Sequence, residues 1–168
     1  MKWEIVDKYL TEVAKACYIE RDSVRIVVQD MWPHAAVEAE LTPENVVKWD
    51  SQKPGDSGGT RYKVWWRGTA ITDWCLVPFP GCCAFCISTQ VWVSPTFRKR
   101  GINTLSNKFR QEIASDAGYT GLICTDVITN EAERKTLKKT GWIDIYGTTN
   151  RRTNNEVAIS LVELYPPR

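Results

Sequence analysis

The apolar period of this chain changes at residues 94–101, and that change restricts the fold more than any other feature. Before it, residues 62–67, 70–79 and 83–93 are rich in aromatic and β-branched side chains. Arg67-Gly68 and Pro80-Gly81 punctuate these runs, which predicts an antiparallel meander. After it, Ile102, Leu105, Ser106, Phe109, Ile113 and Ala117 fall on one face of a helix that Gly118 ends. Residues 120–127 then read as a short apolar strand and 130–140 as a second helix closed by Gly141. Residues 142–146 and 157–164 read as strands joined across a polar turn. Strand runs followed by strand-helix-strand-helix predict a mixed α/β (α+β) domain, with a mostly antiparallel sheet flanked by helices.

The front third is less uniform. Residues 3–16 carry Ile5, Val6, Tyr9, Leu10, Val13 and Ala14 at helical spacing. Residues 23–29 fit a strand or a second helix. Trp32-Pro33 breaks the pattern, and residues 35–41 predict a short helix. The clearest loop is 51–59, Ser-Gln-Lys-Pro-Gly-Asp-Ser-Gly-Gly. One domain is expected over 1–168, with a helical region at 1–50 and the sheet at 60–168; this length buries roughly 70% of the unfolded surface.

Composition removes several classes. With 43% hydrophobic and 25% charged residues, the chain is neither a disordered tail, a collagen-like fibre nor a coiled coil. A net charge of +2 excludes a bulk polyelectrolyte partner but leaves room for a local phosphate patch. No run of about 18 apolar residues occurs, so no membrane partner is expected. The first residues, Met-Lys-Trp-Glu-Ile-Val-Asp-Lys, place acids where a signal peptide is apolar. A cytoplasmic location with reduced thiols is the expectation for the 6 cysteines.

Segment 91–103, Val-Trp-Val-Ser-Pro-Thr-Phe-Arg-Lys-Arg-Gly-Ile-Asn, carries the most chemistry. Pro95 stops a strand, and three cations and a glycine lead into a helix. A helix N-terminus offers unpaired N–H groups and partial positive charge. Arg98, Lys99 and Arg100 add full charges, and Gly101 permits close approach, so the turn suits a diphosphate. A solvated basic turn capping a helix is the plainer alternative. Neither the Walker loop nor the dinucleotide fingerprint is present.

The segment resembles the acyl-CoA motif of the GCN5-related N-acetyltransferase (GNAT) superfamily, with Val91, Val93, Pro95, Arg98 and Gly101 in register. A second family motif, a strand, an Asn and a helix ending in Lys-x-Gly-Phe, is paralleled by residues 127–142 with Asn130 and Gly141, the closing aromatic being Trp142 in place of Phe. The resemblance covers 85–142, extends weakly over the last strand pair and hardly reaches the front third. It implies a splayed strand pair forming an acyl-CoA cleft, and acetyl-CoA or another acyl-CoA as co-substrate. It implies that the strand at Val91, Trp92 and Val93 bonds the acyl carbonyl and pantetheine arm. The amides of Arg98, Lys99, Arg100, Gly101 and Ile102, with Asn103 beside them, would hold the pyrophosphate. Asn130 would bind pantetheine, or act as a helix N-cap completed by Glu133. Asn103 departs from the family's small residue, and Leu137 stands where many members carry a Tyr that protonates the leaving thiolate. A homodimer is also compatible with the family.

The acceptor is expected to be an amine of unspecified class, and its attack needs a proton acceptor. His34, the 1 histidine, has a suitable intrinsic pKa; Glu38, one helical turn on, would orient or replace it. Asp126 ends the motif strand. Trp32, Trp65, Trp74, Thr89 and Gln90 are candidates for binding the acceptor. Trp65 and Trp66 should point to opposite faces, one of them able to stack on a flat acceptor. Cys75, Cys82, Cys83 and Cys86 invite a zinc reading, but adjacent strand residues point apart, and buried thiols explain them better; no metal is expected. The rival readings are a non-catalytic CoA- or partner-binding module and an acyltransferase directed to nucleic acid, which is possible but not required.

Overall fold

The computed structural model describes residues 1–31, 38–46 and 59–165. Helix α1 (Trp3–Cys17) buries Val6, Tyr9, Leu10, Val13, Ala14 and Cys17 along one stripe. After a 3₁₀ turn at Arg21–Ser23, strand β1 (Val24–Asp30) buries Val24, Ile26 and Val28 in alternation. That period of two identifies 23–29 as largely strand.

Strand β2 (Glu38–Glu40) lies antiparallel to β1, with Val28 opposite Ala39. Over its described part, 38–41, this corrects the short helix expected at 35–41; residues 35–37 lie outside the described residues. Glu and Ala favour helix locally, but the backbone of β1 offers a ladder. Ion pairs hold the extended form: Lys63 to Glu38 at 2.6 Å and Arg25 to Glu40 at 3.3 Å. The described part of the first third therefore adds two strands to the sheet beside helix α1. Most of the 51–59 loop lies outside the described residues.

The meander is β3 (Thr60–Trp66), β4 (Thr69–Pro78) and β5 (Phe85–Val93). Then come α2 (Ile102–Asp116), β6 (Gly121–Val127), α3 (Glu131–Lys139), β7 (Ile143–Asn150) and β8 (Asn155–Glu163). One eight-stranded sheet results, in the order β2-β1-β3-β4-β5-β6-β8-β7. All neighbours are antiparallel except β5 and β6, which α2 connects as a crossover. Their parallel pairing runs from Phe85–Gly121 to Ile87–Ile123 and stops. Beyond that point both strands continue without bonding each other.

An aromatic cluster fixes α2 against the sheet. Tyr9 stacks on Phe109 with centroids 4.2 Å apart, and Tyr62 stacks on Trp74 at 5.6 Å. Phe109 meets Trp74 edge-on at 5.9 Å, and the Tyr9 hydroxyl bonds Ser106 Oγ at 2.8 Å. Buried aromatics of this size each contribute about 3–5 kcal/mol against truncation to alanine, so the start of α2 is held rigidly beside the parted strands. Among the described residues, no helix is long and apolar enough to cross a membrane.

Candidate functional site

A cleft opens where β5 and β6 separate. Pro95 ends β5 and begins a 3₁₀ turn at Pro95–Phe97. Lys99 (φ 62°) and Gly101 (φ 80°) then take left-handed backbone. Gly101 is the N-cap of α2 and supplies no side-chain bond, so the first N–H groups of the helix carry no side-chain cap. A Cβ on Gly101 would meet nothing within 4 Å, and Gly101 borders the groove described below. Exposed Arg98 and Lys99 add positive charge, completing an arrangement suited to an anion.

The resulting groove has a volume of about 570 Å³. Every residue expected to hold the cofactor borders it except Arg100. The Arg100 guanidinium turns away, donating to the Cys17 carbonyl at 3.0 Å and lying 5.8 Å from the Phe97 ring centroid. Arg98 Nε donates to the Val93 carbonyl at 3.0 Å, tying the basic turn to the strand end.

Asn130 caps α3, its Oδ1 accepting from Glu133 N at 3.3 Å. Its side chain still borders the groove. Across the groove, Asn103 Nδ2 donates to Glu133 Oε2 at 2.6 Å. Asn103 Oδ1 is buried without a partner, an acceptor left over for a donor entering the groove. The residues present therefore fit a pyrophosphate followed by an amide-bearing arm.

Opposite Trp74, strand β5 contains an extra residue. Asp73 faces Trp92 and Cys75 faces Thr89, so Gln90 and Val91 together oppose one residue of β4. Gln90 absorbs the bulge in a left-handed conformation, φ 55°. Bulges re-aim neighbouring groups, and this one sits where the cleft begins.

A second cavity of about 240 Å³ adjoins the first, bordered by Thr89, Gln90, Asp126, Asn107 and Arg110. Val91, Asn130 and Glu133 border both. Asp126 is buried and bound to Arg134 Nη1 at 2.9 Å; Arg134 Nη2 also takes Asp144 at 2.5 Å. Ser160 Oγ donates to Asp144 at 2.9 Å. Hydrogen bonds from Arg134 and then Ser160 hold the Asp144 carboxyl below its ordinary value. Burial, reinforced by the charges of Asp126 and Glu133, pushes the Cys124 thiol up to about 12, so it stays protonated at neutral pH. Leu137 is buried beside this cavity.

The structure thus gathers Thr89, Gln90 and Asp126 around the cleft. It does not gather Glu38, Trp65 and Trp74. Glu38 lies on the far edge strand, four strand spacings from β5, roughly 19 Å away. Trp74 is fully buried in the aromatic cluster. Trp65 is half-buried, on the β3 face that carries Arg61 and Lys63, while Trp66 packs toward the core and Phe97. Trp32 and His34 lie outside the described residues. Among the described residues, no cluster of three or more metal-ligating side chains occurs.

Three site residues escaped sequence reading: Asn107, Arg110 and Glu133 as a groove wall. Arg110 follows Ser106 by four and precedes Ile113 by three, which puts a cation on the apolar stripe of α2. That was the available signal.

No protein-family model matches the sequence. No curated protein matches it either. Solved structures do. An acetyltransferase of the GNAT family from Streptococcus pneumoniae is 12% identical with a TM-score of 0.58, over 74% of this chain and 78% of that one. An IAA acetyltransferase from Bacillus cereus is 12% identical with a TM-score of 0.60, over 83% and 99%. A spermidine N-acetyltransferase from Vibrio cholerae, in complex with CoA and spermine, is 10% identical with a TM-score of 0.57, over 75% and 78%. The chain has the GNAT fold.

Proposed function

We propose that this protein is an N-acyltransferase that takes an acyl group, acetyl in the simplest case, from an acyl-CoA to an amine. One observation carries the reading: the uncapped, basic N-terminus of α2 and the edge of β5 beyond the point where it parts from β6 border the same groove. Diphosphate chemistry explains the first half, and an extended amide-bearing arm lying between strands explains the second. The fold agrees with this reading, because solved structures that share it are named as acetyltransferases.

An acyl thioester supplies an activated carbonyl. Backbone groups of residues 88–93 on the unpaired edge of β5 orient and polarise that carbonyl. The first turn of α2, with Arg98 and Lys99, anchors the phosphate end. Asn103 Oδ1 accepts a hydrogen bond from the arm. In the transfer a C–N bond forms and the C–S bond breaks; the amine loses one proton and the thiolate gains one. Leu137 offers no proton to the thiolate. A thiol of ordinary pKa, about 8.5, leaves tolerably as thiolate near neutral pH, so water can protonate it afterwards.

Thiol release from a panel of acyl-CoAs, each mixed with a panel of small amines, amino acids, peptides and nucleosides, tests the reading. Release that requires both protein and a particular amine supports it. CoA binding with no turnover across the whole panel contradicts transfer and leaves a CoA-binding module.

A further inference from the structure

The Arg110 side chain is the most unusual group in the molecule. It is 1% exposed. Among the described residues its Nε and Nη1 have no hydrogen-bond partner, and no carboxylate forms an ion pair with it. Its guanidinium lies 5.9 Å from the Trp74 ring centroid. Burial pulls the group below its ordinary value, opposed by the charge of Glu133. A buried guanidinium without a partner is strongly unfavourable, so a molecule that keeps one uses it.

A second orphan lies one helical turn away. Asn107 is fully buried; its Oδ1 accepts from Trp142 Nε1 and Gln111 Nε2, both at 2.9 Å, while its Nδ2 has no partner. The two accepted bonds fix the amide so that Nδ2 points away from both donors. Asn107 and Arg110 border the same cavity. Three unpartnered N–H-bearing atoms on successive turns of α2 therefore face one small space between β5 and β6. Two carboxylates also border it. Asp126 is neutralised by Arg134, and Glu133 is engaged by Asn103.

We propose that Asn107 and Arg110 form a carboxylate-binding subsite at the acyl end of the cleft, so that the preferred donor carries a short dicarboxylic acyl group of the malonyl, succinyl or glutaryl kind. The inference rests on the acyl-CoA reading of the larger groove. It deepens that reading, because Val91, Asn130 and Glu133 join the two cavities and the acyl group is the part that extends beyond the thioester. A guanidinium and a side-chain amide supply the donors that a carboxylate takes, and removing it from water is offset by the partners it gives to atoms now without any.

The test is calorimetric titration of CoA, acetyl-CoA and succinyl-CoA into the wild type, Arg110→Met and Arg110→Lys. Succinyl-CoA should bind the wild type about tenfold or more tighter than acetyl-CoA, as a charge-assisted buried contact implies. Arg110→Met should lose that preference, binding succinyl-CoA no tighter than acetyl-CoA. Arg110→Lys should keep part of it, because the charge remains and the fork is lost. Equal or weaker binding of succinyl-CoA by the wild type, with CoA itself bound, overturns the subsite and leaves the acyl-CoA reading intact. An undiminished preference in Arg110→Met also overturns it. Failure of CoA to bind overturns both. The wild-type comparison alone decides the matter if the Met variant does not fold.

Discussion

Asn103 and Glu133 meet across the groove, the Asn103 amide donating to Glu133 Oε2 at 2.6 Å. The bond links the first turn of α2 to the first turn of α3, the two helices that wall the candidate cofactor site. It also gives a role to a side chain larger than the motif calls for at that position. Asn103→Ala should lower stability by about 1.5–3 kcal/mol, the value of a hydrogen bond to a charged group, and weaken CoA binding several-fold. Urea denaturation and calorimetry measure the two effects. Unchanged values for both would show that the contact organises nothing.

The bulge at Gln90 reverses an ordinary propensity argument. Within a strand, Gln→Val should stabilise. Gln90, however, has φ 55°, where a β-branched residue is strained. Gln90→Val should therefore lower stability rather than raise it, and thermal or chemical denaturation reads the sign. A stabilised variant would mean that β5 is regular there and the cleft edge is not re-aimed.

Trp142 closes α3 and reaches back to Asn107 with its indole N–H at 2.9 Å. Trp142→Phe keeps the ring packing and removes the donor. About 1 kcal/mol of stability should go with it. The Asn107 amide then loses one of the two bonds that orient it, so any ligand preference at the smaller cavity should weaken too. Stability lost without a change in acyl-CoA preference would separate the packing role from the orienting one.

Charge pairing behind the cleft gives a pH dependence. Arg134 and Ser160 hold the Asp144 carboxyl below its ordinary 3.8. A depressed folded value makes the unfolded chain bind the proton first. The contribution is therefore complete above the ordinary value and is lost as pH falls through the lower folded one. The stability difference between wild type and Asp144→Asn should be constant from neutral pH to about 5 and shrink below about 4. A difference that grows on acidification would contradict the pairing.

Much of the fold was legible because periodicity and punctuation agreed. The meander, α2, β6 and β8 had apolar periods, α3 was marked by Asn130 at its start and Gly141 at its end, and the loop that opens α2 had its cations in view. Residues 38–40 misled because Glu-Ala-Glu favours helix when isolated, and the partner that overrides it, β1, is distant in sequence. Arg110 was hidden because a single cation on an apolar stripe is read as an interruption unless the space above it is known. The Gln90 bulge has no local signature. It arises from register against β4, which no short window contains.

The central claim is that the turn from Arg98 to Ile102 and the parted strands hold CoA. Calorimetric titration of CoA into the wild type and Gly101→Trp tests it most directly. Gly101 borders the groove and a Cβ there meets nothing within 4 Å, so a large side chain at this position competes with the ligand for the groove; the left-handed backbone, φ 80°, costs about 1 kcal/mol of stability. The account predicts micromolar binding by the wild type, about −8 kcal/mol, and none by a folded Gly101→Trp. Wild-type protein that ignores CoA, or a variant that binds it as well as the wild type, would contradict the claim.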